Sequence, residues 1–403
     1  MPYLGKQRLR RILPISLLAT LLAFTVVARA QQGTVVFLRD TITTGYAPAQ
    51  FTDLTEAPSP ETIRRFEEEA LAKGFGTIGR SLEEYGRIKG LDDWYFYQLV
   101  RKTAQMISPK AQHYARYTLY KWLLLRASGY DALVTLGNGK ILLYVRSNEN
   151  VYNIPCRTEG GRRYVCLNYH DYGQIDFGRE QFIAIAGKAS PESPRLFSYT
   201  IRFAPDLGEQ AYIDRDIQFE YFQRIYQFRV KLNPEVQNIF TNYPVVDYEL
   251  QFNMPLSPKT YESLITSLRQ HLKKKKLREG IEFLLHFTRY GFEFRPDQEV
   301  YGAEKRMSPE QTLLHQYSDC EDRAALFFLL VREIYKRPML VLVYPDHVSV
   351  AVQLDKPYGR TIEYQGERYT LCEPSPQAID LAVGQGVPSL KKQPFEVAYA
   401  YRP

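Results

Sequence analysis

The stretch Tyr317-Ser-Asp-Cys320-Glu-Asp-Arg-Ala-Ala-Leu-Phe-Phe-Leu-Leu-Val-Arg-Glu-Ile334 places a cysteine at the mouth of a helix. Ser318 or Asp319 can cap that helix, and the apolar run from Ala324 to Ile334 buries it. A thiol in this position lies beside unpaired backbone N–H groups and the positive end of the helix dipole. Both favour the thiolate, which is the nucleophilic form. The acidic neighbours Asp319, Glu321 and Asp322 oppose this, so Cys320 needs a base.

Downstream residues can supply one. Pro338 to Tyr344 reads as a buried strand, and Asp346-His347 opens a second, Val348 to Leu354. A third strand, Glu367 to Glu373, ends at Pro374. A histidine at a strand start beside a helix-borne cysteine can take the thiol proton, and Glu373 can hold the imidazole in its useful tautomer. The plainer alternative makes Cys320 a packing residue and His347 a surface or capping residue. A Cys320–Cys372 disulfide is a further alternative.

Three pieces together resemble the transglutaminase-like superfamily of papain-like cysteine enzymes. They are Ser318-Asp-Cys-Glu-Asp-Arg-Ala324, the strand Asp346 to Val352 with His347, and Tyr369 to Ser375 with Glu373. The resemblance covers the last third of the chain, from near Tyr261. It implies an α+β, papain-like C-terminal domain with Cys320 as nucleophile, His347 as base and Glu373 as orienting acid. Many members carry Asp where this chain has Glu373. The family also implies an oxyanion site on the approach to the nucleophile. Gln316 is the side-chain candidate there, beside the backbone N–H of Cys320, with a surface glutamine as the alternative.

The chain has 403 residues, enough for two or three domains, and 31 tyrosines. Residues 1–30 read as a secretory signal peptide. Lys6, Arg8, Arg10 and Arg11 form a basic start, Ile12 to Val27 is apolar, and Ala28-Arg29-Ala30 is a small-x-small cleavage site. An exported, periplasmic or secreted protein is expected, with an uncleaved anchor as the alternative. The formal net charge is +7, and removing the signal leaves about +2. That balance gives no case for a nucleic-acid partner. No P-loop, dinucleotide fingerprint or zinc-type cysteine spacing occurs, so no cofactor and no metal are expected.

Along the chain, 31–90 is expected to be a helical extension, with helices over Glu61 to Ala72 and Ser81 to Ile88 broken by Gly74, Gly76 and Gly79. Helices over Leu91 to Ile107 and Ala111 to Ala127 follow. Residues 91–174 then read as a degenerate copy of the C-terminal unit, at an offset of about 206 residues. In that register Cys320 faces His113 or Tyr114, His347 faces Lys140, and Glu373 faces Asn168.

Between the copies, 175–256 is predicted to be an antiparallel β domain. Its strands are Ser198 to Phe203, a hairpin or long strand within Gln218 to Val230, and Tyr248 to Phe252. Its Tyr- and Phe-rich face is expected to pack on a neighbouring domain. Residues 257–403 form the catalytic unit, opening with helices over Lys259 to Lys276 and Leu277 to Tyr290. Cys156 and Cys166 bracket Gly160-Gly161 and can face each other across a hairpin.

The function expected is thiol-dependent acyl transfer on a peptide or amide bond of a protein or peptide substrate, in the cell envelope or beyond. Hydrolysis is favoured over glutamine–lysine crosslinking, because water is the default acceptor. The alternative is a non-enzymatic binding or scaffold protein built from the duplicated modules.

Overall fold

The computed structural model describes residues 33–45, 51–173, 175–185, 187, 193–208, 211–300, 302 and 305–403. The expected signal peptide, 1–30, lies outside the described residues. The fold is mixed α and β, with antiparallel sheets.

A hairpin of β1 (Thr34–Phe37) and β2 (Asp40–Thr43) comes first. Helix α1 (Pro60–Ala72) starts with a reciprocal cap: Ser59 Oγ accepts from the Thr62 N–H, and Thr62 Oγ1 accepts from the Ser59 N–H. The expected break falls at Gly74, with φ of 81°, and helix α2 (Gly76–Lys89) then starts at Gly76 and runs through Gly79, which the sequence also suggested as a break. Helices α3 (Asp93–Ile107) and α4 (Tyr114–Ala127) follow. Gly79 is helical because α2 lies hard against α4. A Cβ there would come 2.2 Å from the Cβ of Ala127, so the glycine serves close approach rather than a turn.

Next come β3 (Ala132–Gly137), β4 (Lys140–Arg146), β5 (Cys156–Glu159), β6 (Arg162–Cys166) and β7 (Ile183–Ile185), in the sheet order β5-β6-β4-β3-β7. Asn138 and Gly139, with φ of 48° and 71°, make the two-residue turn between β3 and β4. Val134, Ile141, Leu143 and Val145 face α4 in a core that holds Trp94 and Trp122. That core also takes in Val35, Phe37, Ile63 and Phe66, so 33–90 packs with 91–174. Leu142, Tyr144, Tyr164 and Cys166 cluster on the sheet's other face.

Residues 175–256 do not form a β domain. Strand β7 belongs to the sheet just described. Ser198 to Phe203 is in no strand, because carboxylates take its amides. The Ser198 N–H donates to Asp93 (2.9 Å), the Tyr199 N–H to Glu149, and the N–H groups of Arg202 and Phe203 to Asp92 (2.7 and 2.9 Å). The one hairpin among the described residues of this segment is β8 (Ile213–Tyr221) with β9 (Arg224–Leu232). After α5 (Glu235–Phe240), the expected strand Tyr248–Phe252 is helix α6. Its adjacent Gln251 and Phe252 are both buried, which period-two alternation forbids.

The hairpin's Ile217, Phe219, Phe228 and Val230 pack into one core with α7 (Pro258–Leu272) and α8 (Leu277–Tyr290). Lys273 to Lys276 link these two helices instead of extending α7, since four adjacent ammonium groups offer the core no apolar face.

Strand β10 (Glu293–Phe294) pairs in parallel with β11 (Tyr317–Ser318), enclosing the short helices α9 (Asp297–Val300) and α10 (Pro309–Leu314). Helix α11 (Cys320–Tyr335) leads to β12 (Met339–Tyr344), β13 (His347–Val352), β14 (Thr361–Tyr364), β15 (Glu367–Cys372) and β16 (Glu396–Tyr401). Their sheet order, β14-β15-β13-β12-β16, repeats that of the first sheet. Tyr344 pairs with His347 as Gly137 pairs with Lys140, so His347 and Lys140 hold the same strand position, as the repeat requires. Val341, Val348, Val350 and Val352 face α11 as Val134, Ile141, Leu143 and Val145 face α4.

All four cysteines are free. Cys156 sits opposite Val165, and Cys166, the next residue on that strand, points to the other face, so the expected hairpin disulfide is absent. Cys372 is a buried core thiol opposite Val350.

Candidate active site

Cys320 is the first residue of α11, and Asp319 caps the helix by accepting from the Asp322 N–H at 3.3 Å. What fixes this helix start is Arg323, fully buried. Its guanidinium donates to Ser318 Oγ (3.0 Å) and to the carbonyls of Thr288 (3.1 Å), Arg289 (2.5 Å) and Phe292 (3.0 Å). These carbonyls lie at the C-terminal end of α8, where no helical N–H remains to meet them. Burial lowers the Arg323 pKa to about 10, so it stays charged at neutral pH.

His347 follows the Pro345-Asp346 turn, and its Nε2 is 2.9 Å from Glu373 Oε2. Glu373 is 1 % exposed. Its Oε2 also accepts from Ser349 Oγ (2.7 Å), and its Oε1 from the Ser375 N–H (2.9 Å). Arg289 Nε holds the Glu373 carbonyl at 2.7 Å. A carboxylate can only accept, so Nε2 carries a hydrogen, and in the neutral ring Nδ1 keeps the lone pair. Burial opposes charge on His347, but the Glu373 hydrogen bond and charge, with Glu321, outweigh it and raise the imidazole pKa.

The Cys320 sulfur lies against the N–H of Val348, the residue after His347 on β13. The thiol donates to Glu321 Oε2 at 2.8 Å. Burial, then the charges of Glu321 and Asp319, push its pKa far up, and the resting group is the thiol. Gln316 is exposed. Its amide donates to Glu293 Oε1 at 2.9 Å on the β10–β11 edge and is therefore committed away from an oxyanion role. The Cys320 N–H, at the first helical position, has no intrahelical acceptor and is the donor that remains.

Three buried carboxylates, Asp297, Asp319 and Asp322, gather behind the helix start with oxygens within 4.8 Å of one another. Among the described residues this is the set able to hold a cation, where the sequence suggested no metal ligands. Asp322 Oδ1 accepts from the Met307 N–H at 2.8 Å, while its buried Oδ2 has no hydrogen-bond partner. Burial first, then mutual repulsion, raises the Asp319 and Asp322 carboxyls well above the ordinary range.

In the first half, Tyr114 opens α4 as Cys320 opens α11. Lys140 reaches Glu180 at 2.7 Å. Asn168 accepts from the Leu143 N–H (2.7 Å) and donates to Tyr114 Oη (2.9 Å). No thiol–imidazole pair occupies these positions. Sequence reasoning missed Ser349, Arg289 and Arg323. Ser349 was within reach, because it lies two residues after His347 on the same strand face. The two arginines carried no such signal, since each acts through carbonyls distant in the chain.

No protein-family model, curated protein or solved structure matches this chain. No described helix is long and apolar enough to cross a membrane.

Proposed function

We propose that this chain is a cysteine-dependent acyl-transfer enzyme of the transglutaminase-like, papain-like type, exported from the cytoplasm and acting on a peptide or amide carbonyl. The observation that carries this is the part-buried 2.9 Å contact between His347 Nε2 and Glu373 Oε2, one residue along β13 from the Val348 N–H that lies against the Cys320 sulfur. Residues 257–403 are then the catalytic unit, and 91–174 a degenerate copy without chemistry.

In this mechanism the Cys320 proton passes to His347 Nδ1 as Sγ bonds to the carbonyl carbon. The carbonyl π pair moves onto oxygen, facing the Cys320 N–H. The C–N bond breaks, and the amine leaves with the proton from His347. Water then gives a proton back to His347 as its oxygen bonds to the acyl carbon, and the thioester C–S bond breaks to restore the thiol. An amine in place of water would give transfer, but water is the default acceptor.

The rival is a binding or scaffold protein, and one observation favours it: the thiol rests on Glu321, not on the imidazole. Incubation with dimethylated casein, with and without glycine ethyl ester, separates the outcomes. New amino termini mark hydrolysis, and ester incorporation marks transfer. Both should vanish in Cys320→Ser. If neither appears, and iodoacetamide labels Cys320 equally fast in wild type and His347→Ala, the enzyme proposal fails.

A further inference from the structure

The first half carries a cavity that the proposed chemistry does not use. It is about 460 Å³ and lies between β1, α3 and α5, beside the start of α4. That volume falls within the small-molecule range. Gln98, Arg101, Lys102 and Gln105 line it as one polar stripe on α3, at helical spacing. Phe37, Leu207 and Ile239 face the stripe and make the opposite wall apolar.

The floor is polar and under-satisfied. Gln98 is 6 % exposed. Its Oε1 accepts from Arg101 at 2.7 Å, while its buried Nε2 has no acceptor. An amide N–H left unmet in a buried place costs free energy, and a ligand oxygen would relieve it once the Gln98 amide, shut off from solvent in this structure, turns toward the cavity. Two of the three lining cations are already neutralised: Lys102 pairs with Glu235 at 3.3 Å and Lys110 with Asp171 at 2.6 Å. Arg101 forms no ion pair with a carboxylate among the described residues, and Tyr117 and the more distant Asp171 support its charge. His170, close behind, is pushed down to about 4 by burial and then by Arg101, Lys121 and Lys110, against the pull of Asp171.

We propose that this cavity binds a small organic monoanion, a carboxylate with an apolar body. Its carboxylate meets the Arg101 guanidinium and the Gln98 amide N–H, and its body lies on Phe37, Leu207 and Ile239. The single charge of Arg101 matches one negative charge. Glu235 at the rim and Asp171 behind Lys110 disfavour a dianion. The site is independent of Cys320 and stands whether or not the chain is an enzyme.

Calorimetric titration of the full chain with benzoate, hexanoate and inorganic phosphate tests this. Benzoate and hexanoate should bind saturably, and phosphate about tenfold more weakly or not at all. Arg101→Gln and Gln98→Met should each weaken benzoate by about tenfold, the loss of one charge-assisted or buried hydrogen bond. Cys320→Ser should leave benzoate binding unchanged. Thermal melts confirm that the variants are folded, and Gln98→Met, which keeps the volume, guards against a misfolded Arg101→Gln. The proposal is overturned if neither carboxylate saturates the wild type. It is overturned equally if phosphate binds as tightly as benzoate, or if binding survives both α3 substitutions.

Discussion

Glu321→Gln should make Cys320 more reactive, the opposite of what losing a catalytic group does. The thiol donates to Glu321 Oε2 at 2.8 Å, so ionising the sulfur sets two negative charges side by side. Two unit charges about 4 Å apart at an effective dielectric near 20 repel by about 4 kcal/mol. Glu321 is only part-buried, and solvent screening reduces this to about 1.4 kcal/mol, or about one pKa unit. Below its pKa, the thiolate fraction then rises about tenfold, while the weaker basicity of the sulfur takes back part, leaving about threefold net. Glu321 also supports the charge on His347, but as the smallest of that group's causes, so relief of the thiol dominates. The assay is iodoacetamide alkylation near neutral pH, read by peptide mass spectrometry. It is run in a Cys156→Ser background, because Cys156 is exposed, while buried Cys166 and Cys372 report any unfolding. An unchanged or slower rate refutes the reasoning.

Three further outcomes are expected. Glu373→Gln should slow Cys320 alkylation by about ten- to a hundredfold, because an amide cannot accept on both sides. It either abandons the Ser375 N–H or turns its NH₂ to His347 and forces the wrong tautomer. Arg323→Ala leaves the Thr288, Arg289 and Phe292 carbonyls unmet at the end of α8 and should cost more than about 3 kcal/mol in urea unfolding. Asp319 and Asp322 have raised pKa values in the folded chain, so above about pH 4 it keeps protons that the unfolded chain releases, and stability falls as pH rises toward the folded values. Asp322→Asn removes one such group, so thermal melts across that range should show a shallower decline than wild type.

The helix–strand–strand frame was legible because its signals are local. Asp319 caps α11, an unbroken apolar run follows it, and the strand carrying His347 is rich in β-branched valine. The expected β domain failed where long-range carboxylates decided the backbone: Asp92, Asp93 and Glu149 hold Ser198 to Phe203 away from any sheet. Strands β14 and β16 were not anticipated because neither shows a clean alternation of burial. At the site, Cys320, His347 and Glu373 were named from order along the chain, but the thiol's resting partner was not. That choice depends on how α11 meets β13, which no local pattern records.

The shared strand order of the two sheets gives the chain an internal control. The same strand order occurs twice, and only the second half has a thiol at the helix mouth. Features common to both halves, such as the positive-φ turns at Gly160-Gly161 and Gln365-Gly366, report what the architecture demands for folding. Positions where the halves part, Tyr114 against Cys320, Lys140 against His347 and Asn168 against Glu373, mark what the shared frame leaves free to differ. One half thus serves as the folding reference for the other within a single polypeptide.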